Sequence, residues 1–236
     1  KAVEGVSLQE TILKTIGLGK SFKGFSAVSD VNLDVTRGAI HALIGPNGAG
    51  KTTFLKLLDG LIKPDSGTVT CSFNTKTALV LHHTPMIKAS TATNIGMVRD
   101  IDSSITESDI KKVMEEVGLG KLGNSPAHKL SAGERQKLCL GRAILQKPNL
   151  VLLDEPTANL DPNTTDQVEK IIRELNIEQS NIIFSSHQLA QVQRLAQYVI
   201  FIDHGEIKEK GPVGPFFADP QTQAAKRYLH QELISD

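Results

Sequence analysis

Residues 45–52 read Gly-Pro-Asn-Gly-Ala-Gly-Lys-Thr, the pattern GxxxxGK[ST], and no other stretch constrains the fold as much. Residues 39–44 before it are apolar except for His41, which predicts a buried parallel strand. After it, Phe54, Leu55, Leu57 and Leu58 recur with helical period over residues 52–61. Strand, loop and helix in that order are the context in which this pattern holds phosphate. Gly45, Gly48 and Gly50, with Asn47 and Ala49 between them, let backbone N–H groups turn inward around phosphate oxygens. The helix beginning near Lys51 adds its positive end. Lys51 is expected to reach the β- and γ-phosphates, Thr52 to bind Mg²⁺ and Thr53 to touch the α-phosphate. The alternative is a glycine-rich turn without function, and the strand–loop–helix context weighs against it.

About a hundred residues downstream, Leu150-Val151-Leu152-Leu153 runs into Asp154-Glu155. A carboxylate at the carboxyl end of a strand sits at the ligand-binding edge of an α/β sheet. Asp154 is expected to bind Mg²⁺, and Glu155 to polarise the attacking water as general base. Alone, an acidic pair after a strand is common on solvated loops; coupled to the phosphate loop it gains weight. Between the two lies Leu130-Ser131-Ala132-Gly133-Glu134, where Ser131 and Glu134 form a capping box and predict a helix start. A capped helix terminus is also an anion site. This segment has no evident partner in its own chain, which points to an active site shared by two copies.

The rest of the chain alternates short apolar runs with helical patterns, an α/β reading. Strands are predicted at 31–36, 39–44, 68–72, 149–153, 181–184 and 198–202, and helices at 52–61, 106–117, 131–146, 166–175, 189–196 and 221–234. The 236 residues can bury a sizeable core, and formal net charge is zero, so no global field argues for nucleic acid. Cys71 and Cys139 are far apart, without metal or disulfide spacing, and a reduced cytosolic setting is expected. No apolar run approaches membrane-spanning length, and no signal-peptide pattern opens the chain.

The segment Leu130-Ser131-Ala132-Gly133-Glu134-Arg135-Gln136 resembles the signature of the ATP-binding cassette (ABC) family, LSGGQ or LSGGE, and the resemblance covers essentially the whole chain. It implies a P-loop NTPase with a RecA-like core, an antiparallel β subdomain and an α-helical signature subdomain near 84–148, in one nucleotide-binding domain over 1–236. It also implies two ATP–Mg²⁺ held head to tail, the signature (Ser131, Gly133, Glu134) of one subunit facing the phosphate loop of the other. Phe22 falls where the family stacks an aromatic ring on adenine; a buried core phenylalanine is the plain alternative. Ala158-Asn159-Leu160-Asp161 resembles the dimer-contact loop. Ser185-Ser186-His187 resembles the switch segment, with His187 toward the γ-phosphate. Ala132 departs from the first signature glycine, while Gly133, the expected phosphate contact, is kept. The larger departure is the Q-loop, after the strand that residues 78–81 resemble: aligned on Asn94, His82 stands where the family carries glutamine, and it is expected to sense metal and γ-phosphate more weakly. His82-His83 also invites a zinc site, but no third ligand stands at a recognisable spacing.

Met86-Ile87-Lys88-Ala89-Ser90, Ser125-Pro126-Ala127, Phe216-Phe217-Ala218 and Arg227-Tyr228-Leu229 resemble the tungstate group of oxyanion importers. The expectation is an importer's ATPase subunit, working as a homodimer on integral-membrane permease subunits at the cytoplasmic face of the membrane, served indirectly by a solute-binding protein. Phosphate or amino-acid import, a soluble cassette ATPase in protein assembly, and a nucleotide-gated binding module are the alternatives.

Overall fold

The computed structural model describes residues 11–72, 74–177 and 180–235. The chain opens with two long strands, β1 (Thr11–Phe22) and β2 (Phe25–Thr36), joined at a tight turn in which Lys23 and Gly24 both have positive φ. Next come β3 (Ile40–Ile44), α1 (Lys51–Asp59), β4 (Ser66–Cys71) and β5 (Thr77–Val80). A helical stretch carries α2 (Thr91–Gly96), α3 (Glu107–Glu116) and α4 (Ala132–Leu145). The chain then alternates through β6 (Leu150–Asp154), α5 (Pro162–Ile177), β7 (Asn181–Ser185), α6 (Leu189–Leu195) and β8 (Tyr198–Asp203). It closes with β9 (Glu206–Pro212), α7 (Val213–Ala218) and α8 (Gln223–Ser235).

The expected α/β architecture is present. One sheet has the order β2-β1-β4 and is antiparallel; the other has the order β5-β6-β7-β3-β8-β9, parallel until β9 runs against β8. All five residues of β3, β6 and β7 are buried, as continuous apolar strands covered on both faces must be. Their side chains alternate between two cores. Ile40, Ala42, Ile44, Val151, Leu153, Ile182 and Phe184 pack toward the helices. Leu43, Leu150, Leu152 and Ile183 pack with Phe54 of α1 and with Ile12, Leu13, Val31 and Leu33 of the antiparallel sheet.

Several elements differ from expectation. The strand predicted at 31–36 is only the second half of β2, and β1, β9, α2 and α7 were not predicted at all. Helix α5 begins at Pro162, four residues before the predicted start. Helix α4 starts as its capping box requires: Ser131 Oγ accepts from the Glu134 N–H, and the Glu134 carboxylate accepts from the Ser131 N–H at 2.8 Å. The predicted span 1–236 includes residues 1–10, which lie outside the described residues.

Candidate functional site

Three loops meet at the carboxyl end of the parallel sheet because β7 lies between β6 and β3. The register sets Ser185 of β7 opposite both Asp154 of β6 and Leu43 of β3. The phosphate loop after β3, the acidic pair after β6 and the switch segment after β7 therefore leave the sheet side by side, at the edge where open α/β sheets bind ligands.

Glycine shapes the phosphate loop for steric reasons. Gly45 has φ 153°, and a Cβ there would lie 2.0 Å from Ile202 O; Gly50 has φ 103°, and a Cβ would lie 2.2 Å from Ala27 O. Neither position tolerates a side chain. Gly50 then caps α1, whose first residue, Lys51, is nearly buried. The Lys51 ammonium donates to Gly45 O at 2.6 Å and Pro46 O at 3.1 Å, so its charge sits over the loop.

Thr52 Oγ1 donates to Asp154 Oδ2 at 2.8 Å, across 102 residues of sequence. A hydroxyl and a carboxylate converging at one point are the hard oxygen ligands that suit Mg²⁺. Asp154 is held from behind: its Oδ1 accepts from Ser185 Oγ at 2.7 Å, and Ser185 Oγ in turn accepts from the Glu155 N–H at 2.9 Å. Glu155 has φ 48°, a left-handed backbone that is uncommon outside glycine. Its Oε2 lies 3.0 Å from His187 Nδ1.

A cleft of about 360 Å³ is lined by Asn47, Gly48, Ala49, Gly50, Lys51, Thr52, Thr53 and Glu155, together with Phe22 and Phe25. Phe22 is no core residue: it is 47% exposed, and Lys20 Nζ lies 5.6 Å from its ring centroid. Phe25, which sequence reasoning passed over, is 65% exposed and pairs directly with Phe22 across the turn. Direct cross-strand partners share a face of the sheet, so both rings turn to one side of the hairpin. An aromatic one tight turn away from Phe22 was the available signal.

His82 and the signature lie elsewhere in the chain. His82 lines a second cleft, of about 380 Å³, with His83, Ala132, Arg135, Gln136, Cys139 and the loop residues Ala158, Asn159 and Leu160. Among the described residues no group of three or more His, Cys, Asp or Glu side chains is placed to hold a metal ion. Asn94 is fully buried and braces the intervening loop: its amide bonds the backbone of Ile87 at 3.0 and 3.2 Å, and Arg142 donates to Asn94 Oδ1 at 2.8 Å. Ser131, Gly133 and Glu134 do not line the phosphate-loop cleft. Gly133 is buried against α5, where a Cβ would lie 2.2 Å from Thr164 Cγ2, so that glycine already has a packing reason.

A family model described as ABC transporter matches residues 28–158. Lantibiotic transport ATP-binding protein SrtF of Streptococcus pyogenes is 33% identical over 203 residues, covering 83% of this chain and 89% of that protein. Methionine import ATP-binding protein MetN of Brucella abortus is 33% identical over 236 residues, covering 91% of this chain; the match spans 64% of that longer protein. L-cystine transport system ATP-binding protein TcyN of Escherichia coli is 29% identical over 241 residues, covering 92% and 96%. Among solved structures, a nucleotide-free ATP-binding cassette from an ABC transporter superposes with a TM-score of 0.80 at 22% identity, covering 92% of this chain and 99% of that one. A dimeric ATP-binding cassette in a post-hydrolysis state, bound to ADP and Pi, gives 0.79 at 20% identity, covering 86% and 99%. The chain belongs to the ABC transporter family and is one of its ATP-hydrolysing cassettes.

Proposed function

We propose that this chain is the ATPase subunit of an importer for amino acids or similarly small solutes. The observation that carries the hydrolytic part is that Thr52 and Glu155 line one cleft, each with a partner hydrogen-bonded to it: Asp154 to Thr52, and His187 to Glu155. Glu155 takes the proton of the attacking water, and its strained backbone aims the carboxylate into the cleft. His187, hydrogen-bonded to Glu155, faces the transferred phosphoryl group. Lys51 and the loop N–H groups hold the phosphates, and Phe22 stacks on the base. Thr52 and Asp154 would hold Mg²⁺, which when bound offsets charge on the β- and γ-oxygens.

Ser131, Gly133 and Glu134 are reached only from a second copy in this reading, which makes the working unit a head-to-tail homodimer. The dimer would dock on membrane-embedded permease subunits, a reading supported by the transport descriptions of the relatives. The import reading rests on the methionine and cystine relatives. The tungstate expectation, drawn from residues 86–90, 125–127, 216–218 and 227–229, is not supported by the relatives named above, and the amino-acid alternative fits them better. The cassette does not touch solute, so its loops constrain the cargo poorly. The lantibiotic relative favours a second reading, in which the partner permease moves a peptide.

Glu155→Gln decides the hydrolytic core. Phosphate release should fall by at least about 100-fold, the range of a lost general base. The same variant should form ATP-dependent dimers by light scattering. An undiminished rate removes Glu155 from the mechanism, and a persistent monomer removes the shared site.

A further inference from the structure

Behind the Glu155–His187 pair lies a buried polar network centred on Gln191 of α6. Gln191 and Glu169 are each 1% exposed, and Thr157 and Ser186 scarcely more. Ser186 Oγ donates to Gln191 Oε1 at 2.9 Å. Gln191 Nε2 donates to Thr157 Oγ1 at 2.6 Å and to Glu169 Oε1 at 3.3 Å. Glu169 also accepts from Arg194 at 2.7 Å and from Arg173 at 3.1 Å. The Gln188 N–H completes the Ser186 hydroxyl at 3.0 Å.

The two hydroxyls anchored by this one amide sit where they matter. Ser186 is the residue before His187, and Thr157 is two residues after Glu155. Each arm of the 3.0 Å contact between His187 and Glu155 is thus tied, within two residues, to opposite ends of the same side chain. The end facing Glu169 must donate, because a carboxylate only accepts, while the other end accepts from Ser186; the carboxamide does both at any pH. A carboxylate could accept from the Ser186 and Thr157 hydroxyls but could not donate to Glu169, whose carboxylate it would face.

We propose that Gln191 is a positioning residue for ATP hydrolysis, fixing the separation of the switch segment and the loop after β6 so that His187 meets Glu155. The inference rests on the reading of that pair as the hydrolytic machinery. It assigns no contact between Gln191 and nucleotide.

The test is steady-state phosphate release by the full chain with ATP and Mg²⁺, on Gln191→Leu and Gln191→Glu, with Glu155→Gln alongside. Gln191→Leu should lower kcat roughly 10- to 100-fold, the usual effect of a misplacement near 1 Å, while KM for ATP stays within about twofold. In Gln191→Glu the new carboxyl and Glu169 are like charges, with Arg173 of α5, Arg194 of α6, Thr157 and Ser186 as their other neighbours. The neighbouring Glu169 carboxylate favours the protonated form of the new side chain, which is lost as pH rises. Protonated, the new side chain again offers a donor and an acceptor. The ratio of variant to wild-type kcat should therefore fall as pH rises from about 6 to about 9. A purely structural role would shift the melting temperature and leave that ratio flat. If Gln191→Leu fails to fold, Gln191→Glu decides alone. Wild-type kcat at every pH in a folded variant overturns the positioning role, provided Glu155→Gln has lost its rate. If Glu155→Gln retains its rate, the reading of the pair falls and the inference falls with it.

Discussion

Two phenylalanines facing one cleft from a single hairpin are unusual in a chain whose aromatic content is 4%. Left exposed they bury little, so a planar ligand laid on them recovers apolar contact that water denies. Phe22→Ala and Phe25→Ala should each weaken ATP binding by about 1–3 kcal/mol, roughly 5- to 100-fold in Kd by calorimetry. Unchanged affinity in Phe25→Ala would leave Phe22 as the whole platform. At this scale the sequence was legible where chemistry is contiguous. Lys51 and Thr52 are neighbours within one motif, as are Asp154 and Glu155 in another. Phe25 was not legible, because its pairing with Phe22 depends on a strand whose periodicity is broken. Gln191 and Ser185 were invisible as anchors for a related reason: each acts on residues some 30 positions away.

Elements divided along similar lines. Strands with nearly continuous apolar runs, such as β3, β6 and β7, announced themselves, and so did α4 behind its capping box of Ser131 and Glu134. Strand β1 did not, since register shifts against β2 interrupt its alternation at Thr15–Leu18 and again at Leu18–Lys20. Strand β9 is a charged edge, α2 has only six residues, and α7 contains Gly214-Pro215, which argues against helix. The packing of α4 on α5 gives a test at this scale. Gly133→Ala places a methyl 2.2 Å from Thr164 Cγ2 and should cost about 1–3 kcal/mol in urea unfolding. Thr164→Ser removes that methyl while keeping the hydroxyl that donates to Asp161 at 2.6 Å, so the double variant should recover most of the loss. No recovery would mean that Thr164 is not what excludes a side chain at Gly133.

For the molecule as a whole, acid sensitivity has an identifiable source in the middle of the sheet. His41 on β3 is buried and stacks on Tyr198, with ring centroids 5.2 Å apart, and its Nδ1 has no hydrogen-bond partner among the described residues. Burial lowers its pKa from 6.5 to about 4, against a weaker opposing hydrogen bond with the backbone of Ala39. The unfolded chain therefore binds a proton first. Stability from this group is complete above about pH 6.5 and falls as pH drops toward about 4, on the order of 3 kcal/mol in all. Replacing it, His41→Phe, should flatten that part of the urea midpoint against pH; an unchanged slope would place the sensitivity elsewhere. The joint between the two sheets has a different consequence. The Ser29 N–H donates to Gly205 O at 2.8 Å, and the Gly205 N–H donates to Ala49 O at 3.0 Å, while the backbone of Ala27 closes on Gly50. Hairpin and phosphate loop are thereby locked by main-chain bonds that no side-chain substitution removes. On the proposed reading, base platform and phosphate cradle are therefore spaced by the backbone itself, and their separation is set by the joint at Ala27, Ser29, Ala49 and Gly205.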